Sequence, residues 1–376
     1  MQNIQMVDLV GQYEKIKDLV NPRIQQVIET AAFINGPEVK RFQEELESYL
    51  GVKHVIPCAN GTDALQIAMM ALGLKPGDEV ITTTFTFVAT AEVIAILGLT
   101  PVLVDCDEDT FLISTDAVKE AITEKTKAII PVHLFGQCAN MDEIMEIAKA
   151  HQLKVIEDGA QSIGADFYFK NGSVKKSGTI GDFGCTSFFP SKNLGCYGDG
   201  GALFTNNDQL AEKARMIVNH GMKVRYYHDE IGVNSRLDSI QAAVLSVKLE
   251  RLDDYCNARR KAADYYDAAF KSIDAISTPK RVENSSHVFH QYTLKIKGVN
   301  REELQKFLSD NGIPAMIYYP VPLHQQKAYR DERYLDGHFP IAEKLSKAVL
   351  SLPMHTELTE GQLKYITDKV KEFIKK

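Results

Sequence analysis

The stretch Ser187-Phe188-Phe189-Pro190-Ser191-Lys192-Asn193-Leu194-Gly195, followed by Gly198-Asp199-Gly200-Gly201, sets one lysine among small, polar and glycine residues. Small neighbours let a ligand come close, and a desolvated lysine becomes a nucleophile toward carbonyls. Any single lysine of this kind also reads as a solvent-exposed turn residue. Asn60-Gly61-Thr62 follows an apolar run and opens a helical pattern. The free amides of a helix start, beside a glycine and a hydroxyl, suit an anion; a simple N-cap fits the same residues. Glu157-Asp158-Gly159-Ala160-Gln161 ends another apolar run, so Asp158 stands where a strand stops. It too has a plainer reading, as a turn carboxylate. Together the three supply a phosphate site, a carboxylate for a pyridinium nitrogen and a lysine able to form a Schiff base, which is the set pyridoxal phosphate requires.

The elements that must position these groups are legible from periodicity. Phe42, Leu46, Tyr49 and Leu50 fall on one stripe and predict a helix over 37–50, with Pro37 in its first turn and Gly51 just past its end. β-rich runs at 54–58, 79–83, 101–104, 128–132 and 154–156 alternate with helical patterns at 63–72, 89–97, 115–122 and 141–151. Lys75-Pro76-Gly77-Asp78 carries turn chemistry. Asn140, with Glu143 three residues on, resembles a capping box with Asn in place of Ser or Thr. Strands alternating with helices predict βαβ units on a mostly parallel sheet. Ligands of such sheets sit beyond the carboxyl ends of the strands, here 60–62, 84–87, 133–137 and 158–161. Past residue 206 the pattern changes: a helix at 207–219, a charged and aromatic loop at 222–234, and a long helical region at 237–270. A second α+β unit follows, with a strand at 292–296, a helix at 301–311, a proline-bearing loop at 318–322 and a C-terminal helix.

Bulk properties narrow the field. A length of 376 residues predicts two or three domains and is ample for a hydrophobic core. The 44% hydrophobic and 25% charged composition is that of a soluble globular chain. A net charge of −7 disfavours nucleic acid as a partner. Six cysteines without a C-x-x-C pair argue against a metal site and for reduced core thiols. No apolar stretch is long enough to span a membrane and the first residues do not read as a signal peptide, so a cytoplasmic location is expected.

Ordered motifs carry a resemblance through about 200 residues: Phe33-Ile34-Asn35-Gly36-Pro37-Glu38-Val39, Ala59-Asn60-Gly61-Thr62-Asp63-Ala64-Leu65, Phe85-Thr86-Phe87-Val88-Ala89-Thr90, Glu157-Asp158-Gly159-Ala160-Gln161, Phe188-Phe189-Pro190-Ser191-Lys192, Gly198-Asp199-Gly200-Gly201 and Gly232-Val233-Asn234-Ser235-Arg236-Leu237. The sequence resembles the pyridoxal-phosphate-dependent nucleotide-sugar aminotransferases of the DegT/StrS family. The resemblance implies an α/β fold of type I: a large domain, 1–250, with a mostly parallel sheet flanked by helices, and a smaller α+β domain, 251–376. It implies that Lys192 bonds the cofactor and shuttles a proton, and that Asp158 pairs with the pyridinium nitrogen. Gln161 would meet the phenolic oxygen, Phe87 would stack on the ring, and Gly61, Thr62 and Ser187 would hold the phosphate. Asn234 would reach the phosphate in the neighbouring subunit of a homodimer, from a loop long enough to be functional.

Lysine at position 192 favours amino transfer, because relatives that dehydrate sugars carry histidine there. The expected course is ping-pong, with L-glutamate as donor and a keto-sugar nucleotide as acceptor. The nearest subgroup acts on UDP-2-acetamido-2-deoxy-3-oxo-glucuronate, for surface polysaccharide or lipopolysaccharide. In it Arg236, Tyr318 and Tyr319 align with substrate contacts. Arg236 suits a uronate carboxylate or a diphosphate, or else pairs with Asp238. Tyr318 departs from the histidine usual in that subgroup, and His324 is a further candidate in the same pocket. The alternatives are a 3-aminotransferase for dTDP-3-keto-6-deoxyhexoses and a non-catalytic regulator that kept the fold.

Overall fold

The computed structural model describes residues 4–375. Its main sheet has seven strands in the order His54–Cys58, Gly201–Thr205, Phe183–Ser187, Lys154–Asp158, Thr126–Ile130, Glu79–Thr83 and Thr100–Val104. All run the same way except Gly201–Thr205, which is antiparallel to both its neighbours. Strand residues alternate between faces, so each face buries its own set. Ile81, Ile129 and Val155 pack with Phe42 and Leu46 of the helix Pro37–Leu50 and with Leu245 of the helix Ser239–Leu249. Val80, Ala128, Ile130 and Ile156 pack on the other face, against the helices Gly61–Leu72 and Asp208–Ile217. Parallel strands need helical crossovers, and those helices cover both faces. The architecture is the mostly parallel α/β sheet that the alternating pattern predicts.

A three-stranded antiparallel sheet, Ile276–Ser277, Tyr292–Ile296 and Val349–Leu352, packs with the helices Leu252–Phe270, Arg301–Asp310 and Glu360–Ile374 around Tyr266, Tyr292, Leu308 and Ile366. Ile4 joins this second core. A further apolar cluster mixes Phe85, Phe111 and Phe135 with Leu323, Phe339 and Leu345, so residues near the strand ends are packed against the C-terminal part.

Three local expectations fail, each for a physical reason. Asn140 has φ −70° and ψ 82°, short of an extended cap, and its side chain makes no cap bond. Its Oδ1 is buried without a partner, while Glu143 accepts from the Thr115 hydroxyl instead. The expected long helix over 237–270 breaks at Glu250 and Arg251, and Asp253 and Asp254 open the new helix where acidic side chains suit its dipole. The loop 222–234 contains a hairpin, Met222–Val224 paired with Tyr227–His228. Its strands are too short and exposed to show an alternating pattern. The helix Leu9–Thr30, capped by Asp8 through the Gly11 N–H, has no counterpart in the periodicity reading.

Candidate active site

Six strands end at one edge of the sheet, and Gly201, the first residue of the antiparallel strand, pairs there with both Cys58 and Ser187. This register brings the Asn60-Gly61-Thr62 turn against Ser187. Asn60 caps the helix Gly61–Leu72 by accepting from the Asp63 N–H at 2.8 Å. A Cβ placed on Gly61 would lie 2.7 Å from the Ser187 Cβ, and one on Gly201 would lie 2.4 Å from the Asn60 carbonyl carbon. No side chain fits at either position. The amides of Gly61 and Thr62 open the helix and find no acceptor among the described residues. With the Thr62 and Ser187 hydroxyls beside them, they form a cradle suited to a small anion.

Adjacent carboxylates on the strand Lys154–Asp158 face opposite ways, as strand neighbours must. Glu157 is fully buried and spent on scaffolding: it accepts from the N–H groups of Gly178, Ile180 and Gly181 at 2.6–2.9 Å, and His133 Nε2 lies 2.9 Å away. His133 Nδ1 accepts from the Ala139 N–H, which leaves the ring proton on Nε2, pointed at Glu157. Asp158, 6% exposed, turns toward the pocket. Its Oδ2 accepts from the Thr90 hydroxyl at 2.7 Å and its Oδ1 from the Ala160 N–H at 3.2 Å.

Lys192 sits in a compact loop closed by Lys192 N to Phe189 O and Cys196 N to Phe188 O, both 2.8 Å. Beneath the loop, Lys248 donates to the Gly195 carbonyl at 2.7 Å and lies 4.7 Å from the centre of the Tyr197 ring. Asn193 donates to the Val288 carbonyl. Lys192 Nζ itself makes no hydrogen bond or ion pair among the described residues. Burial pushes its pKa down to about 8, with the Asp158 charge pulling weakly the other way.

Gln161 has its amide orientation set by two partners. Its Oε1 accepts from the Phe135 N–H at 2.7 Å, and its Nε2 donates to the Tyr319 hydroxyl at 3.2 Å. Phe87 is 55% exposed, its ring centre 6.3 Å from that of Tyr319. Tyr318 is half-buried, and burial raises its pKa, as it does for Tyr319. Asn234 is exposed; its neighbour Ser235 accepts from the Ala59 N–H, which lays this segment beside the cradle. Arg236 is half-buried and forms no ion pair among the described residues, so the alternative pairing with Asp238 does not occur. His324 departs from the expectation. It is 2% exposed, and both ring nitrogens are engaged, Nδ1 with Thr84 Oγ1 and Nε2 with Glu343 Oε1. No nitrogen is left for a substrate.

Two residues escape the sequence reading. Thr90, which fixes Asp158, looks like one more helix residue. His290 is buried, and its Nδ1 has no hydrogen-bond partner among the described residues. Burial, then the charges of Lys192 and Arg259, push its pKa well below the ordinary value, so the ring near Lys192 is neutral. In the sequence it stands in the apolar run Val288-Phe289-His290-Gln291-Tyr292 and reads as core.

An amine of reduced basicity, a carboxylate and an anion cradle thus share the carboxyl edge of one sheet. The sequence pattern described as the DegT/DnrJ/EryC1/StrS aminotransferase family matches residues 14–371. A protein of Geobacillus stearothermophilus named pleiotropic regulatory protein is 50% identical over 373 residues, covering 99% of this chain and 98% of that one. The UDP-2-acetamido-2-deoxy-3-oxo-D-glucuronate aminotransferase of Pseudomonas aeruginosa is 47% identical over 363 residues, covering 96% and 98%. Among solved structures, S. venezuelae DesV in complex with a ketimine intermediate superposes with a TM-score of 0.95 at 36% identity, each chain covered fully. With this agreement from motif to superposition, the chain belongs to the DegT/DnrJ/EryC1/StrS aminotransferase family and is a pyridoxal-phosphate-dependent sugar aminotransferase.

Proposed function

We propose that this enzyme moves an amino group from L-glutamate to the 3-keto carbon of a nucleotide sugar, UDP-2-acetamido-2-deoxy-3-oxo-glucuronate, in the cytoplasm, for a surface polysaccharide such as lipopolysaccharide. The observation that carries the reading is Lys192: an unpartnered, desolvated amine in the same pocket edge as Asp158 and the Gly61–Ser187 cradle. The name of the Pseudomonas relative supports the choice of sugar. The half-buried and unpaired Arg236 supports an anionic one, since an unpaired guanidinium is a ready site for a carboxylate or diphosphate.

The residues fit pyridoxal phosphate. Bound there, it supplies an aldehyde that condenses with amines and a ring that accepts the electron pair left at the substrate carbon. Gly61, Thr62 and Ser187 hold its phosphate through first-turn amides and hydroxyls. Asp158, braced by Thr90, keeps a proton on the ring nitrogen. Gln161, its carbonyl occupied by Phe135, presents its NH2 to the phenolic oxygen. Phe87 covers the ring face. Lys192 would carry the proton between the donor's Cα and C4′ of the cofactor, so that the proton removed at one carbon is delivered at the other. Asn234 completes the cradle of the partner subunit in a homodimer, and Arg236, Tyr318 and Tyr319 meet the sugar nucleotide. Val224, Tyr226, Tyr227 and Ile231, on and just after the hairpin, are exposed apolar groups of the kind a second subunit covers. In this reading residues 1–250 form the cofactor-binding domain and 251–376 the smaller one.

Purified enzyme assayed with glutamate and each keto-sugar nucleotide tests the substrate. Turnover of the UDP-uronate is expected; turnover of a dTDP-3-keto-6-deoxyhexose alone would move the assignment to that class. The regulator reading takes its support from the name of the Geobacillus relative. The retention of Lys192, Asp158, Gln161 and Ser187 weighs against it, and a protein that stays colourless with added pyridoxal phosphate would restore it.

The low basicity of Lys192 has its own consequence. At pH 7 an amine of pKa about 8 is roughly one-tenth free base, against a few parts in ten thousand for an ordinary lysine. Capture of pyridoxal phosphate by the apoenzyme should therefore speed up about tenfold from pH 6 to pH 7 and level off above about pH 8. Stopped-flow absorbance follows it; an inflection near pH 10 would contradict the desolvated amine.

A further inference from the structure

His324 touches no open part of the pocket, yet it stands between two segments that do. Its Nδ1 lies 2.9 Å from Thr84 Oγ1, and Nε2 lies 3.1 Å from Glu343 Oε1. The Glu343 carboxylate can only accept, so the ring proton sits on Nε2 and Nδ1 accepts from the Thr84 hydroxyl, whose Oγ1 in turn accepts from the His324 N–H at 3.3 Å. Glu343 Oε1 accepts in addition from the Gly337 N–H at 2.7 Å. Burial pushes the Glu343 carboxyl up, but these donors outweigh it and hold the group below its ordinary value. A backbone bond from Leu323 N to Thr84 O, 2.9 Å, runs alongside.

A threonine, a histidine and a carboxylate in line suggest a nucleophile at first sight. Thr84 is fully buried, however, and its hydroxyl reaches no substrate. What the chain of bonds does is mechanical. Thr84 follows the strand Glu79–Thr83 and leads within three residues to Phe87. His324 follows five residues after Tyr319, whose hydroxyl receives the Gln161 amide. Glu343 lies on the helix Pro340–Ala348. One imidazole therefore fastens the segment 84–88 to the segment 318–325, and both to that helix.

We propose that His324 is a positioning residue which, through Thr84 and Glu343, sets the spacing between the Phe87 side and the Tyr318–Tyr319 side of the pocket and so governs how tightly the sugar nucleotide is held. The inference rests on the reading above that these two sides meet cofactor and sugar.

The test uses the holoenzyme with His324→Gln, which keeps a group near the Nε2 position but drops the bond to Thr84, and with Thr84→Val. Each should raise KM for the sugar nucleotide about tenfold while kcat stays within about threefold, as loss of one buried hydrogen bond outside the chemistry implies. The visible band of the bound cofactor should not move. Amide hydrogen exchange of the holoenzyme without sugar should quicken in 84–88 and 318–325 together. An unchanged KM, an equal fall in kcat, or faster exchange in one segment only would overturn the proposal. If His324→Gln fails to fold, Glu343→Leu removes the acceptor at the other anchor and is read the same way. The exchange measurement needs no sugar, so it separates a wrong substrate assignment from a wrong role for His324.

Discussion

Changing Lys192 to alanine should lower kcat by at least about 10⁴-fold while leaving the fold intact. Two losses add. The amine that captures the cofactor is gone, and so is the base placed to move a proton at the substrate carbon, a function worth about 10²–10⁴ alone. Lys192→Arg should do no better, because a guanidinium stays protonated. The apoprotein is the control for folding. The folded pKa of Lys192, about 8, lies below the ordinary lysine value of 10.5. The unfolded chain then holds the proton more tightly, so burying this amine costs stability in full below about pH 8, and the cost fades as pH rises toward 10.5. Apo Lys192→Ala is therefore expected to melt no lower than apo wild type at pH 7, with any advantage shrinking by pH 10. Borohydride should fix the cofactor to wild type, whereas in the variant the cofactor should still be removed by dialysis after the same treatment. Near-normal turnover by Lys192→Ala would end the proposed mechanism.

The second large effect is expected at Asp158. Asp158→Asn keeps the shape and can still accept from Thr90, but it carries no charge to hold a proton on the ring nitrogen. The ring then draws electrons poorly, and kcat should fall about 10²–10³-fold, the scale on which buried electrostatic groups act in catalysis. Thr90→Val is the internal comparison. It removes the 2.7 Å bond to Oδ2, with a weak 3.5 Å bond to the Phe87 carbonyl, and leaves the charge, so a loss near tenfold is expected. A shared origin predicts more. The Asp158 charge raises the Lys192 pKa, so the inflection for cofactor capture should shift below about 8 in Asp158→Asn. If Asp158→Asn kept activity within tenfold, the carboxylate would have to be assigned another role.

The parts of the site that depend on local order were legible. Lys192 among small residues, Asp158 at the end of an apolar run and the Asn60-Gly61-Thr62 turn are each set by neighbours a few positions away. The strand His54–Cys58 and the helices Pro37–Leu50 and Met141–His151 match the expected bounds, because apolar periodicity is a local property. The strand Thr126–Ile130 begins two residues earlier than expected. Parallel strands buried on both faces read as unbroken apolar runs, which blur their own ends.

The long-range choices followed a different rule. Nothing near Glu157 or Asp158 in the chain says which carboxylate faces the pocket; the N–H groups of residues 178–181 claim one and leave the other. His324 resembled a substrate contact until folding brought it to Thr84, 240 positions earlier. Gln161 acquired its orientation from Phe135 and Tyr319, and His290 met Lys192 only because the second core packs against the first. Residue types and short spacings thus carried the chemistry, the family and the alternation of strands and helices. Which side chains stay free, and which are consumed in holding the pocket together, was left to contacts between distant segments, because a polar group's partners are assigned only when burial removes water as the alternative.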